Sequence, residues 1–163
     1  MRMKKGAFVM NRRFKSLWII LLLSSLLMAP IAFAGPKEDV SAATARWAAT
    51  LGEDNPDTIL PLYATDAVLW GTLSPTVRSD RAALRDYFVR AFAALPGLKV
   101  TFGEQLVRVY GNAAVNTGYY TFSFVKDGEQ RTLPARYSFT FVKSGNKWLI
   151  VDHHSSAMPP PLK

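Results

Sequence analysis

Two kinds of hydrophobic pattern divide the chain after its first 34 residues. Apolar residues first recur at helical spacing, over 37–51 and again over 80–95. From residue 98 onward apolar and polar residues alternate in long segments that end in turn residues. Helices followed by a meander of strands predict an α+β fold, with three N-terminal helices packed on one face of a mainly antiparallel sheet.

Capping residues give the predicted limits of the helices. The first helix is predicted over 37–51, and the second begins at Asn55-Pro56, where Asn caps and Pro takes the first position. Ser79 or Asp80 caps the third helix, and Pro96-Gly97 ends it. Residues 66–71 are predicted to form a short strand. Four longer strands follow it, over 98–110, 113–125, 130–143 and 148–156.

The last hairpin predicts which residues share a face of the sheet. A two-residue turn at Gly145-Asn146 places Arg136 opposite Ser155, with His153 on the same face. Asp152 and His154 then lie on the other face. Because both faces carry bulky side chains and three helices cover only one, the uncovered face predicts self-association. The alternative is a sheet that curls enough to bury both faces.

Residues 1–34 read as a secretory signal peptide. A basic segment precedes a nearly uninterrupted apolar run over 17–29, and Ala32-Phe33-Ala34 matches the small-x-small cleavage pattern. Export by the Sec route with cleavage after Ala34 predicts a periplasmic or secreted product that meets the membrane only before cleavage. A retained anchor is the alternative, and Met1, Met3 or Met10 could be the true start. The domain is predicted over 35–158, with a disordered tail over 159–163.

Charge and cysteine content exclude several classes of protein. Six of the 20 basic residues and none of the 12 acidic ones lie in the first 34 residues, which leaves 14 basic against 12 acidic in the remainder. That balance argues against a nucleic-acid partner. The chain has no cysteine, so disulfides, thiolate metal sites and a cysteine nucleophile are excluded. Two histidines without a spaced third ligand predict no metal site, and no dinucleotide-binding fingerprint is present, so no cofactor is expected.

Four segments carry a resemblance to a known family: 62–68 (Leu-Tyr-Ala-Thr-Asp-Ala-Val), 85–88 (Arg-Asp-Tyr-Phe), the stretch from Tyr137 through Gly-Asn-Lys-Trp, and the closing segment 147–159. Residues 38–159 resemble the nuclear transport factor 2-like superfamily. Within it they are most similar to the association (hub) domain of calcium/calmodulin-dependent protein kinase II and to its bacterial stand-alone relatives of the SgcJ/EcaC and SnoaL-like groups.

The resemblance implies a cone-shaped fold in which a strongly curved sheet wraps a long helix, a pocket at its open end and dimers that associate through sheet faces. It also implies an arginine cluster that holds a carboxylate. Arg136 matches one of these arginines, whereas the other two positions fall at about Tyr120 and Ser155. No kinase domain is present, so no kinase activity is expected. The paired register predicted above agrees with this placement of Arg136 and Ser155.

Several residues are candidates for chemistry. Asp152 and His154 lie two apart on a strand, which suits a histidine general base oriented by a carboxylate. They could equally hydrogen-bond the strand end or lie in a subunit contact. Asp66 could serve as an acid or base, although a capping or turn role suits it better. Arg136 needs either a ligand or an ion-pair partner such as Asp66 or Glu104.

An aromatic wall predicts the ligand pocket. Trp47, Tyr63 and Trp70 belong to elements that the resemblance places near the pocket, where His153 would join them, although all three aromatic residues could also be plain core. These residues favour an exported, self-associating domain with a pocket for a small acidic or aromatic ligand. The alternative is a cofactor-independent cyclase, isomerase or hydrolase that uses a His/Asp acid-base pair. An accessory role beside a neighbouring protein is a third possibility.

Overall fold

The structure, a computed structural model, describes residues 35–161. The predicted signal peptide lies outside the described residues, and the predicted tail lies partly outside them, so both stay predictions. Three helices, one 3-10 turn and six strands follow one another in this part of the chain. They are α1 (Pro36–Leu51), α2 (Pro56–Ile59), the 3-10 turn (Leu60–Leu62), β1 (Tyr63–Trp70), β2 (Val77–Arg78), α3 (Arg81–Ala94), β3 (Lys99–Tyr110), β4 (Ala113–Lys126), β5 (Glu129–Ser144) and β6 (Lys147–Ala157).

Local chemistry begins the helices where the sequence predicted. The Asn55 side chain accepts a hydrogen bond from the Asp57 amide at 2.9 Å, and Pro56 takes the first position of α2. Asp80, rather than Ser79, caps α3 by accepting from the Ala83 amide at 2.8 Å. These side chains satisfy amides that have no partner within the helix.

The six strands form one curved sheet in the order β2-β1-β6-β5-β4-β3. The α+β fold and the antiparallel meander of β3 to β6 are confirmed. Two features were not predicted: β1 is longer than residues 66–71 and pairs parallel to β6, and β2 adds a short antiparallel edge. Parallel pairing leaves no turn signal in the sequence, because it joins segments that are far apart along the chain.

The predicted register of the last hairpin is wrong beyond Ile150. Val142 pairs with Leu149 and Phe141 with Ile150, as the Gly145-Asn146 turn predicts, but Thr140 then pairs with Asp152. Val151 is therefore an extra residue in β6. Such a bulge moves every later side chain to the opposite face.

Because of this bulge, the residues of β6 after Val151 lie on the face opposite to the predicted one. Arg136 lies opposite Ser156, and Ser155 lies opposite Tyr137. His153 and Ser155 point to the buried inner face, whereas His154 is exposed on the outer face.

The helices close the inner face around a mainly aromatic core. Trp47 from α1 contacts the rings of Tyr120 and Phe139 at centroid distances of 6.2 and 5.0 Å. Gly118 accommodates a bulge in β3, because a Cβ there would lie 2.0 Å from the Glu104 carbonyl oxygen. The outer face has no covering element among residues 35–161, and it exposes large apolar side chains: Trp70, Leu106, Tyr110, Tyr119 and Val125.

Candidate functional site

A cavity of about 90 Å³ lies between the helices and the inner face of the sheet. Its walls are mostly apolar, and its polar groups come from Thr72, Tyr87, Tyr120, His153 and Ser155. Leu73 also lines the cavity and is 72% exposed, so the cavity reaches the surface beside the β1–β2 connection. The remaining lining residues are Trp47, Leu51, Phe88, Ala91, Leu95, Leu98, Phe122 and Leu133.

The close packing of β1 against α3 shapes this cavity. A Cβ at Gly71 would lie 2.3 Å from the Tyr87 ring, so the absence of a side chain lets the tyrosine lie over the end of β1. The Arg78 guanidinium lies over the same ring, 5.9 Å from its centroid. Burial raises the pKa of the Tyr87 phenol.

A chain of hydrogen bonds leads from α1 to His153. Trp47 Nε1 donates to the Tyr63 hydroxyl at 2.8 Å, and that hydroxyl lies 2.9 Å from His153 Nδ1. Because the indole can only donate, the arrangement that satisfies all three groups has Tyr63 donating to Nδ1. The remaining imidazole proton is then on Nε2.

His153 is a neutral donor in this position. The side chain is 3% exposed, and burial lowers the pKa of His153 to about 3. Nε2 is buried and has no hydrogen-bond partner among the described residues. A buried N–H without an acceptor costs free energy, which makes it the group in this wall that a ligand or a water would satisfy.

Three hydroxyl groups form a second cluster in the same wall. The Tyr120 hydroxyl donates to Ser155 Oγ at 2.5 Å, and Thr72 Oγ1 shares a hydrogen bond with the same Ser155 oxygen. Burial raises the pKa of the Tyr120 phenol, so it stays a neutral donor. Two hydrogen bonds among three hydroxyls leave one hydroxyl proton on Thr72 or Ser155 for another acceptor.

The structure brings four of the sequence-predicted site residues to the cavity: Trp47, Tyr120, His153 and Ser155. Tyr63 lies behind them as the hydrogen-bond partner of His153. Thr72 and Tyr87 were missed in the sequence analysis. A glycine at position 71 followed by a hydroxyl residue was the only local signal, because the approach of Tyr87 depends on how α3 packs.

The other sequence-predicted residues lie away from the cavity. Arg136 is exposed on the outer face, where its Nε donates to Ser156 Oγ at 3.1 Å. Trp70 is 47% exposed. Asp66 is exposed in a shallow groove between β1 and β6.

Asp152 and His154 also lie outside the cavity, on the outer face. Partial burial raises the pKa of the Asp152 carboxyl, and the nearby charge of His154 acts in the opposite direction. Within residues 35–161, no three His, Cys, Asp or Glu side chains come together as a metal site would require. None of the described helices is both long enough and apolar enough to cross a bilayer.

Comparison with known proteins identifies what this arrangement is similar to. Residues 36–159 match the model of the calcium/calmodulin dependent protein kinase II association domain. No curated protein matches the chain. Many solved structures do. A protein from Xanthomonas campestris, described as belonging to that same association domain, is 37% identical, with a TM-score of 0.72 over 80% of this chain and 94% of its own.

More distant structures share the fold. The S. rosetta kinase hub is 17% identical, with a TM-score of 0.68 over 78% of this chain and 100% of its own. A Streptomyces avermitilis protein proposed to be a dehydratase of the nuclear transport factor 2-like family is 16% identical, with a TM-score of 0.70 over 76% of this chain and 96% of its own. At these identities the likeness concerns the architecture alone.

Proposed function

Because the chain belongs to the calcium/calmodulin dependent protein kinase II association domain family, we propose that it is an exported, self-associating domain whose interior cavity holds a small ligand. The observation that carries the proposal is the outer face of the sheet. Leu106, Tyr110 and Tyr119 are each more than half exposed there, and no described element of the chain covers them. An apolar surface of this kind is typical of an interface between protein chains.

The proposed partner is a second copy of the same chain. Association through one sheet face of each copy would bury the same residues on both, as a two-fold interface does. The family description names an association domain, which supports a self-association role. Arg108 and Arg136 also lie on this face, so it is not uniformly apolar.

Light scattering on a sizing column tests self-association. We expect protein purified after expression of the full-length chain to elute as a dimer or larger ring. Tyr119→Glu should lower the molar mass, because it places two like charges in a symmetric interface. Val89→Glu is the matched control, since Val89 is 41% exposed on α3 rather than on the sheet. A wild-type monomer at high micromolar concentration would contradict the proposal.

Export rests on the pattern of residues 1–34. We expect the protein recovered from the periplasmic fraction of a bacterial host to begin at Gly35. N-terminal sequencing and intact mass check this directly. Product that retains the leader, or that stays in the cytoplasmic fraction, would overturn this part of the proposal.

A cofactor-independent enzyme remains the second candidate because the pKa of Asp152 is raised beside His154. A carboxyl group whose pKa is raised by burial, with an imidazole beside it, is a candidate for acid-base chemistry. Proton transfer to and from carbon can be followed as exchange of the α-protons of small ketones in D₂O. If Asp152 and His154 are catalytic, we expect the wild-type protein to exchange these protons faster than the buffer does. Asp152→Asn and His154→Gln should then each abolish this exchange. No exchange in the wild-type protein argues against this candidate as a ketone isomerase.

A further inference from the structure

His153 gives the cavity one donor that the protein itself does not use. Its Nδ1 accepts from Tyr63, and its Nε2 is buried with no partner among residues 35–161. The ring lies among aromatic side chains, 4.2 Å from Phe139 and 5.2 Å from Trp47 between centroids. The hydrogen bond from Tyr63 and these contacts hold the imidazole in one orientation, so its free N–H keeps a defined direction.

The charges around the cavity indicate which ligands suit that donor. No lysine or arginine is among the residues that line it. The arginine predicted to hold a carboxylate, Arg136, is exposed on the opposite face of the sheet. Arg78 does not line the cavity, and its guanidinium lies over the Tyr87 ring, 5.9 Å from the ring centroid. An anion in this cavity would lose its hydration without gaining a direct ion pair, and that loss is expensive.

The number of free hydrogen-bond donors in the cavity wall also favours an uncharged ligand. His153, Thr72 and Ser155 line the cavity; His153 Nε2–H has no partner, and the Thr72–Ser155 pair has one further hydroxyl proton. The other groups that line the cavity are apolar or already hydrogen-bonded, apart from the Tyr87 hydroxyl. A carbonyl oxygen, which has two lone pairs and no charge, fits two such donors.

On the proposed function, in which this cavity is a ligand pocket, we infer that the cavity takes a small uncharged ligand with an apolar body, and that the ligand's carbonyl oxygen accepts a hydrogen bond from His153 Nε2. The volume of about 90 Å³ limits the enclosed part to roughly one ring or a short aliphatic chain, since ordinary pockets for drug-sized ligands reach about 300 Å³ or more. Any larger part of the ligand extends past Leu73 to the surface.

Three probes of similar shape test this inference: acetophenone, benzoate and toluene. They are titrated into protein purified after expression of the full-length chain, with binding followed by NMR. We expect acetophenone to bind about tenfold more tightly than benzoate and to shift the Nε2–H resonance of His153. His153→Phe keeps an aromatic ring and should weaken acetophenone about fivefold to tenfold, the effect of one hydrogen bond, while leaving toluene nearly unchanged.

A second variant tests the place of binding without touching His153. Ala91 lines the cavity from α3, so Ala91→Leu should fill it and weaken both acetophenone and toluene. Ala93→Leu is the matched control, because Ala93 is exposed on the same helix. Equal effects of the two substitutions would place the probes elsewhere and overturn the inference.

The outcomes separate this inference from the proposed function. Benzoate binding as tightly as acetophenone, with loss in Ala91→Leu, would leave a pocket but overturn an uncharged ligand. An unchanged acetophenone affinity in His153→Phe would show that Nε2 is not the recognising donor. Failure of all three probes would overturn both the inference and the pocket, whereas the light-scattering result decides self-association separately.

Discussion

Two polar clusters are buried on the inner face of the sheet, one around Asn116 and one around His153. Asn116 Nδ2 donates to Thr44 Oγ1 and to Gln105 Oε1, both at 3.0 Å, and Asn116 Oδ1 accepts from the Tyr137 hydroxyl at 3.2 Å. Every polar atom of that amide has a partner. In the His153 cluster one N–H has none.

This difference in hydrogen bonding distinguishes a polar cluster that stabilises the fold from one that can also bind a ligand. A fully hydrogen-bonded polar group in the core stabilises one arrangement of the strands and offers nothing to a ligand. A buried donor without a partner weakens the fold, and it can still form a hydrogen bond with a ligand or a water that reaches it. Asn116 and His153 are both buried on the inner face of the same sheet. The two clusters therefore differ in their hydrogen-bond partners and not in their burial.

The largest expected effect comes from breaking the satisfied cluster. Asn116→Ala removes the amide that bonds the side chains of Thr44, Gln105 and Tyr137. Because these groups lose their partner, we expect the free energy of unfolding to fall by about 3 kcal/mol. Urea unfolding at a fixed protomer concentration measures this. Ser123→Ala, on the outer face of the same strand, should stay within about 0.5 kcal/mol. A loss below about 1 kcal/mol for Asn116→Ala would mean that the cluster does not stabilise the sheet.

The next largest effect is the pH dependence of stability that the buried His153 causes. The pKa of His153 lies near 3 in the folded chain and near 6.5 when unfolded, so acid protonates the unfolded chain first. This contribution to stability is present above pH 6.5 and is lost as the pH falls towards the folded pKa, by roughly 2 to 3 kcal/mol between pH 7 and 4.5. The raised pKa of Asp152 acts oppositely at lower pH, because the folded carboxyl holds its proton more tightly.

The difference in pH dependence between wild type and His153→Phe isolates this contribution. We expect the variant to be less stable at pH 7 but to lose less stability on acidification. His154→Gln, which alters the neighbouring exposed histidine and keeps His153, should retain the wild-type slope. Parallel pH profiles for wild type and His153→Phe would show that His153 is not buried as a neutral group.

The smallest effect compares adjacent serines on opposite faces of β6. Ser155→Ala removes the acceptor of the buried Tyr120 hydroxyl and should cost about 1 kcal/mol. Ser156→Ala removes only the exposed contact with Arg136 and should cost less than about 0.5 kcal/mol. Urea unfolding of both variants checks the order. The reverse order would place Ser156, not Ser155, on the inner face.

The sequence predicted the elements of the fold well where local chemistry decides them. Asn55, Pro56 and Asp80 mark helix starts because their side chains or ring geometry satisfy or remove amides within the same turn. Asp127-Gly128 marks a hairpin because both residues adopt positive φ. Alternation of apolar residues predicted β3 to β6. These properties depend on neighbours a few residues away.

The candidate site was predicted only in part, because its composition depends on contacts between distant segments. One extra residue, Val151, moves His153 and Ser155 to the inner face and leaves His154 outside. A bulge has no characteristic turn residues by which the sequence could predict it. It forms where the strand bends within the curved sheet. Thr72 and Tyr87 reach the cavity only because α3 packs on the end of β1.

The amino-acid sequence by itself determined the order of the three helices and of the four long strands, the capped helix starts and the family of the fold, since caps, turns and periodicity act over a few residues. The tertiary structure decided which histidine is buried, which serine faces the cavity and that Arg136 lies away from it. Those outcomes follow from strand register and helix packing, in which a shift of one residue exchanges the two faces of a sheet.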